Sequence, residues 1–344
     1  MNARRRPFVF AAVSLFALSS VARASDTINL LVPKGPRTIT YARPAPGSRV
    51  SWVRLRPAAT PGERAAMAAA YDPASGKVVI FGGYDATSYL AETWTFDGTT
   101  WENVTSAVAP PGRAAGVLAY DEAEGKLVLF GGYDGTYRND TWLFDGTTAT
   151  WTEAAPAHVP IAVTGPAGFR DPANGLATIF GGYDGRFYSN QMMQWKDGDW
   201  TELTPSTVPG GRAATAYAVD EARHVTVLFG GLAGINPNNT WTWNGSDWSR
   251  ELPNVQPDTG YNSGAAFDPT FGAVLVFGGA AGGPDLNDLW EWTGSDWVLI
   301  KTGRKPTGRE SHAFVYDEAT GQDVVFGGQN GNTLLGDTWV LAHR

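Results

Sequence analysis

The sequence predicts an all-β protein: a six-bladed β-propeller with four antiparallel strands per blade. Three observations carry this expectation. The triplet Phe-Gly-Gly recurs six times, starting at Phe81, Phe130, Phe180, Phe229, Phe277 and Phe326, at intervals of 49, 50, 49, 48 and 49 residues. Each triplet closes a short apolar run (KVVI, KLVL, LATI, VTVL, AVLV, QDVV), which reads as a buried strand ending where another backbone approaches closely. Tryptophan pairs follow on either side of a turn: Trp94/Trp101, Trp142/Trp151, Trp241/Trp248 and Trp290/Trp297. Four-strand units repeated at this period are those of propeller blades.

Along the chain, the first segment addresses export. Arg4, Arg5 and Arg6 precede an apolar run from Phe8 to Val21, and Ala22-Arg23-Ala24 fits small-residue cleavage, so residues 1–24 read as a secretory signal peptide. The expected location is secreted or periplasmic, and Arg5-Arg6 leaves a twin-arginine route open. Losing four arginines and no acids takes the formal net charge from −8 to about −12. So acidic a chain is a poor partner for nucleic acid or for anionic membrane surfaces. No later stretch is apolar enough to span a bilayer. Cysteine is absent, which excludes disulfides, thiolate metal sites and cysteine nucleophiles.

Residues 25–50 lack the repeat, and Pro33, Pro36, Pro44 and Pro46 argue against a regular element; a linker or strap is expected. The propeller then occupies residues 51–344, with repeats near 64–104, 113–154, 161–203, 212–252, 260–300 and 309–341. The clearest copy parses as an inner strand from Arg113 to Tyr120, a turn at 121–125, a second strand from Lys126 to Phe130, a loop from Tyr133 to Asp140, a third strand from Thr141 to Phe144, and an outer strand from Trp151. Asp145-Gly146 suits the hairpin between the last two. The last repeat has Trp339 but no second tryptophan. Residues 51–55, with Trp52, resemble the outer strands and are expected to complete blade 6 and close the ring. Blade 3 departs from the pattern, with Met192 at the third-strand tryptophan position and Val163 at an inner-strand arginine position. Blade 5 has Gly260 there.

The apolar run with Gly-Gly, the tryptophan near +13 and the second tryptophan after the turn resemble the Kelch family, across roughly residues 51–341. The resemblance is specific for fold and weak for function, because the family spans enzymes, adaptors and binding proteins. It implies that ligands meet the face formed by the loops entering the inner strand and those after the second strand. The copper-radical oxidases of the superfamily need a tyrosine–cysteine crosslink, which a cysteine-free chain cannot form.

Two residue sets fall on that face. Arg64, Arg113, Arg212 and Arg309 each lie 17 residues before their Phe-Gly-Gly. A ring of guanidiniums suits a carboxylate ligand. The competing reading is structural, tying blade edges, with Glu102, Glu153, Glu202 and Glu251 as available partners. The second set is the loop after Gly-Gly in blades 1–3: Tyr84, Tyr133, Asp134, Tyr137, Tyr183, Asp184, Phe187 and Tyr188. Tyrosine offers a flat apolar face with a hydroxyl, which suits sugars and peptides. The first Tyr-Asp of each loop reads as packing between blades and turn capping ahead of binding, whereas Tyr137, Phe187 and Tyr188 read as exposed and available for binding. The recurrent Asp72, Asp121, Asp171, Asp220, Asp268 and Asp317 read as turn residues rather than calcium ligands. The histidines are too scattered for a metal centre, and His312 matches a structural Kelch position.

The expected function is therefore a binding module for a glycan, peptide or protein, monomeric and without cofactor or metal. The alternative is an enzyme on an acidic sugar or small metabolite, since exported six-bladed Kelch proteins include sialic-acid mutarotases. No residue stands out as catalytic.

Overall fold

The computed structural model describes residues 28–32, 35–39, 50–234 and 237–343. The proposed signal peptide lies outside them. Six four-stranded antiparallel sheets form the blades. From inner to outer strand, blade 1 is Ala68–Asp72, Lys77–Phe81, Thr93–Phe96 and Trp101–Asn103. Blade 2 is Val117–Asp121, Lys126–Phe130, Thr141–Asp145 and Thr150–Glu153. Blades 3, 4 and 5 repeat this order with inner strands Ala167–Arg170, Ala216–Asp220 and Gly264–Asp268. Blade 6 takes Ala313–Asp317, Gln322–Phe326 and Thr338–His343 from the end of the chain, and Val50–Arg54 from before blade 1 as its outer strand. Leu341 pairs with Trp52 in that register, so the two ends of the propeller close the ring.

The Phe-Gly-Gly and tryptophan positions are explained by contacts between blades. Each triplet phenylalanine meets the outer-strand tryptophan of the next blade: Phe81 with Trp151 at 5.2 Å between ring centroids, Phe130 with Trp200 at 5.4 Å, and Phe277 with Trp52 at 4.8 Å. Six apolar clusters result, one at each blade interface, rather than a single central core. The indole N–H then donates to the first residue of the preceding blade's third strand: Trp151 to Thr93, Trp200 to Thr141 and Trp297 to Thr240 at 2.8 Å, and Trp101 to Thr338 at 3.0 Å. Trp248 reaches the sulfur of Met192 at 3.4 Å. Trp52 faces the Leu289 repeat position, and its N–H has no partner among the described residues. This pairing also corrects the alignment of blade 3. Met193 pairs with Ile179 and so takes the tryptophan position, while Met192 replaces the threonine. Trp195 pairs with Trp200, as Phe144 does with Trp151.

The glycines stand where two blades touch through their backbones. Gly82 has φ +72°, and a Cβ on it would lie 2.4 Å from the carbonyl oxygen of Arg113 in the next blade. The following glycine donates to that same carbonyl, Gly83 N to Arg113 O at 2.9 Å, and the pattern runs round the ring to Gly328 N and Arg64 O at 2.8 Å. A second belt lies closer to the axis. Ala66, Ala115, Gly165, Ala214, Asn262 and Ser311 all have left-handed φ, from 51° to 61°. Each donates its N–H to the equivalent carbonyl of the preceding blade at 2.7–2.9 Å, with Ala66 to Ser311 closing the circle. Five of the six are not glycine, and this belt holds them in a conformation that L-residues resist. Residues 113–116, expected to begin the inner strand, are therefore an extended bridge and this left-handed kink; the strand starts at Val117.

The proline-rich stretch also differs from expectation. Ile28–Val32 pairs antiparallel with Gly35–Ile39. Pro36, opposite Leu31, lies within this ladder.

Candidate functional site

The four arginines lie inside the blades, none more than 3% exposed. Each donates Nη1 to the carbonyl of its own blade's first triplet glycine, as Arg113 does to Gly131 at 3.2 Å and Arg309 to Gly327 at 2.9 Å. Each also meets the residue two before the third-strand tryptophan. Arg113 grips Asp140 with both terminal nitrogens at 2.6 Å, Arg309 meets Asp337 at 2.9 Å and Arg64 meets Glu92 at 2.7 Å. The same acid accepts the tryptophan N–H, Trp142 to Asp140 at 2.8 Å and Trp339 to Asp337 at 2.7 Å. Burial alone would raise the Asp140 and Asp337 carboxyls, but their arginines hold both below the usual range. The partners are thus acids of the same blade, not Glu102, Glu153, Glu202 or Glu251. Glu102 instead meets Lys77, and Glu251 accepts from Thr242.

Arg212 differs from the other three. Its partner is Asn239, a neutral acceptor at 2.8 Å. Burial, with the charge of Arg250, depresses this guanidinium to about 10. Where the arginine is missing the partner changes as well. Blade 5 keeps Asp288, now paired with Lys305 at 2.7 Å, and blade 3 has neutral Gln191, which accepts from Ile161 N.

The tyrosines of blades 1–3 assemble into one continuous ladder. Successive ring centroids run Tyr84–Tyr89 at 5.4 Å, Tyr89–Tyr133 at 5.8 Å, Tyr133–Tyr137 at 5.0 Å, Tyr137–Tyr183 at 6.1 Å and Tyr183–Tyr188 at 4.8 Å. Pairs within a loop are tilted, and pairs between loops meet edge to face, the geometry aromatic quadrupoles favour. The backbone sets this up. Tyr84, Tyr133 and Tyr183 each bridge to the strand-entry residue (Ala65, Ala114, Thr164) and to the second tyrosine of the loop. Tyr84 is 37% exposed, and the other five are half-buried. Phe187 stands clear at 59% exposure, with the Arg186 guanidinium 4.8 Å from its ring centroid.

The loop aspartates are caps. Asp85 accepts from Thr87 N and Ser88 N, and Asp184 from Arg186 N and Phe187 N at 2.7 and 2.6 Å. Asp134 accepts from Thr136 N and pairs with Arg138. Hydrogen bonds to Thr87 hold Asp85 below its ordinary pKa, and the Phe187 and Arg186 amides do so for Asp184.

The opposite half of the face is polar. Glu310 is buried, and its two oxygens accept from Gln329 at 2.7 Å and Asn262 at 3.0 Å. Beside it Asp285 accepts Gly331 N at 2.6 Å. Burial and the charge of Glu310 raise Asp285, and burial with the charges of Glu310 and Asp285 raises Tyr261. Repeat alignment alone exposes this set: Glu310 occupies the position of Ala65, Ala114 and Ala213.

At the other mouth of the ring the six aspartates cap turns, as Asp72 does for Ala74 N and Ser75 N. Glu122, Glu221 and Glu318 follow the aspartate in alternate blades, where the others have proline. Arg170 pairs with Glu122 at 2.9 Å and with Glu221. Glu318 is raised by burial and by Glu221, against Arg170. Among the described residues, no group of three or more histidines and acids is arranged to hold a metal; the side chain of His343 lies outside them. A groove of about 270 Å³, lined by Ile161, Met192, Leu203 and Val208 among others, begins at Ser189, next in sequence to the last tyrosine of the ladder.

A family model described as the KLHDC2/KLHL20/DRC7 Kelch-repeats domain matches residues 48–205. That span begins just before the strand bearing Trp52 and ends after the outer strand of blade 3. No curated protein matches the chain.

Proposed function

This chain is a Kelch-repeat six-bladed β-propeller, and from that premise we propose that it is a binding scaffold whose ligand site is the tyrosine ladder of blades 1–3. Kelch propellers generally serve as protein-interaction scaffolds. One observation carries the reading: six tyrosines from three loops join ring to ring in one series on the face where the loops converge. Packing alone needs no such continuity, since blades 4–6 hold together with Leu232, Ala280 and Gln329 at the position of Tyr84. Rigid, amphipathic rings lose little entropy on binding and favour interfaces. The ligand we propose is a protein segment. The basic start and small-residue exit of residues 1–24 support a chain that meets this partner after export.

An enzymatic reading, with mutarotase-like chemistry on an acidic sugar, draws support from Asp285, raised beside Glu310 and Tyr261. It loses support from the arginines, whose guanidiniums are engaged inside the blades.

The test is capture of partners by the immobilised protein, wild type against Tyr89→Ser with Tyr137→Ser. The ladder reading expects affinity to fall at least about tenfold. Binding that is indifferent to both substitutions refutes it, and glycan-array hits that depend on both tyrosines replace the protein ligand with a sugar.

A further inference from the structure

The charges around the ladder are unbalanced. Among the described residues, Asp85, Asp184, Asp285 and Glu310 form no ion pair. The basic side chains of the same face are spent: Arg138 on Asp134, Lys305 on Asp288 and the buried arginines within their blades. Arg186 stands at the edge, over Phe187, and Arg304 lies in the loop entering blade 6, over Trp339.

The carboxylates also sit close to the rings. Asp134 raises Tyr89 from the neighbouring loop, and Asp184 does the same to Tyr137, in each case after burial and the adjacent tyrosines. The ring faces already carry negative quadrupole density, and fixed carboxylates beside them deepen it. At the far side of the face two carboxyls share a confined site without a cation.

We propose that the occupant of this face is an extended protein segment bearing lysine or arginine, its cations lying along the tyrosine ladder and against Asp285, which the buried Glu310 backs. This rests on the ladder being the ligand site and adds the chemistry of the ligand. Charge complementarity carries it: an acidic face with aromatic rungs attracts cations twice, by net charge and by the quadrupole of each ring. An anionic segment would meet the carboxylates of Asp85 and Asp184, with Arg186 at the edge as the guanidinium nearest to receive it.

The experiment uses the full chain and three labelled peptides of equal length, repeats of Lys-Pro, Ser-Pro and Glu-Pro, followed by fluorescence anisotropy at low and near-physiological salt. The Lys-Pro peptide is expected to bind and to weaken as salt rises. Its affinity should fall about tenfold in Tyr89→Ser with Tyr137→Ser, and severalfold in Asp285→Asn. Asp285→Asn keeps the shape of the site and guards against a ladder variant that folds poorly. Glu122→Gln with Glu221→Gln, on the opposite mouth, should change nothing. Ser-Pro or Glu-Pro binding as tightly through the ladder overturns the cationic ligand while the ladder site stands. Lys-Pro binding that depends on Glu122 and Glu221 instead of the ladder also overturns it. If no peptide of any charge binds in a ladder-dependent way, the ladder reading falls as well.

Discussion

Replacing Asn239 with aspartate should stabilise the protein. In blade 2 the guanidinium of Arg113 meets both oxygens of Asp140 at 2.6 Å. In blade 4 the equivalent Arg212, 3% exposed, meets the neutral amide oxygen of Asn239 at 2.8 Å in place of a carboxylate. A buried cation without a carboxylate is costly, and its depression to about 10 reports that cost. The Arg212–Asn239 bond already has a charged donor, so the gain comes from a second, bidentate bond and from neutralising the buried cation, together roughly 1–2 kcal/mol. Desolvation of the new carboxylate is already offset in the homologous site, where Asp140 stays below its ordinary range despite burial. For a propeller of this size the gain corresponds to a rise in Tm of roughly 2–4 °C. The sign with pH is also set. A carboxyl depressed in the folded state contributes stability above its unfolded pKa of about 3.9, lost as pH falls through the folded value. Thermal melts of Asn239→Asp and wild type at about pH 7 and about pH 3 measure both effects. An unchanged or lower Tm near neutrality refutes the reasoning, as does a gain no smaller at about pH 3 than at about pH 7. Asp140→Asn should do the reverse and cost about 1–2 kcal/mol, since it leaves Arg113 with a neutral acceptor, as Arg212 has in blade 4.

Other consequences follow from the same contacts. Deleting residues 1–56 removes Trp52 and the outer strand of blade 6, and should cost at least about 4 kcal/mol; unchanged melting would sink the closure. Thr141→Val keeps the shape but leaves the Trp200 N–H without its acceptor, for a loss of about 1–2 kcal/mol in chemical denaturation. His312 is held neutral by burial and by Arg309, at about 3. It therefore costs stability as pH falls below its unfolded value near 6.5, and His312→Phe should flatten that slope in melts between about pH 6.5 and 4. Asp323 has the opposite sign. Burial and Asp268 raise it well above normal, so its penalty grows as pH rises from about 4. Asp323→Asn should gain more stability near neutral pH than at about pH 4, and equal gains at both would refute the assignment.

The period, the blade count and the role of Trp52 were legible in the chain because each depends on a local rule repeated six times. A phenylalanine and two glycines mark a strand that ends against the next blade, and tryptophans mark the strands beyond it. The arginines show where such reading stops. Spacing placed four guanidiniums at equivalent positions, but only three dimensions show that Glu92, Asp140, Asn239 and Asp337 receive them. Blade 3 was misaligned by one residue because Met192 and Met193 are alike in composition, and strand register alone separates them. The tyrosines were visible as a lopsided composition, and their union into a ladder depended on the angle between adjacent blades. Glu310 and Asp285 lie far apart from the tyrosines in sequence and join their face only when the ring closes. The sequence by itself determined the scaffold, since strand, turn and blade contacts are set by short-range patterns. The tertiary structure decided which polar groups are consumed by packing and which remain for a ligand, because that balance depends on partners 16 to 237 residues away.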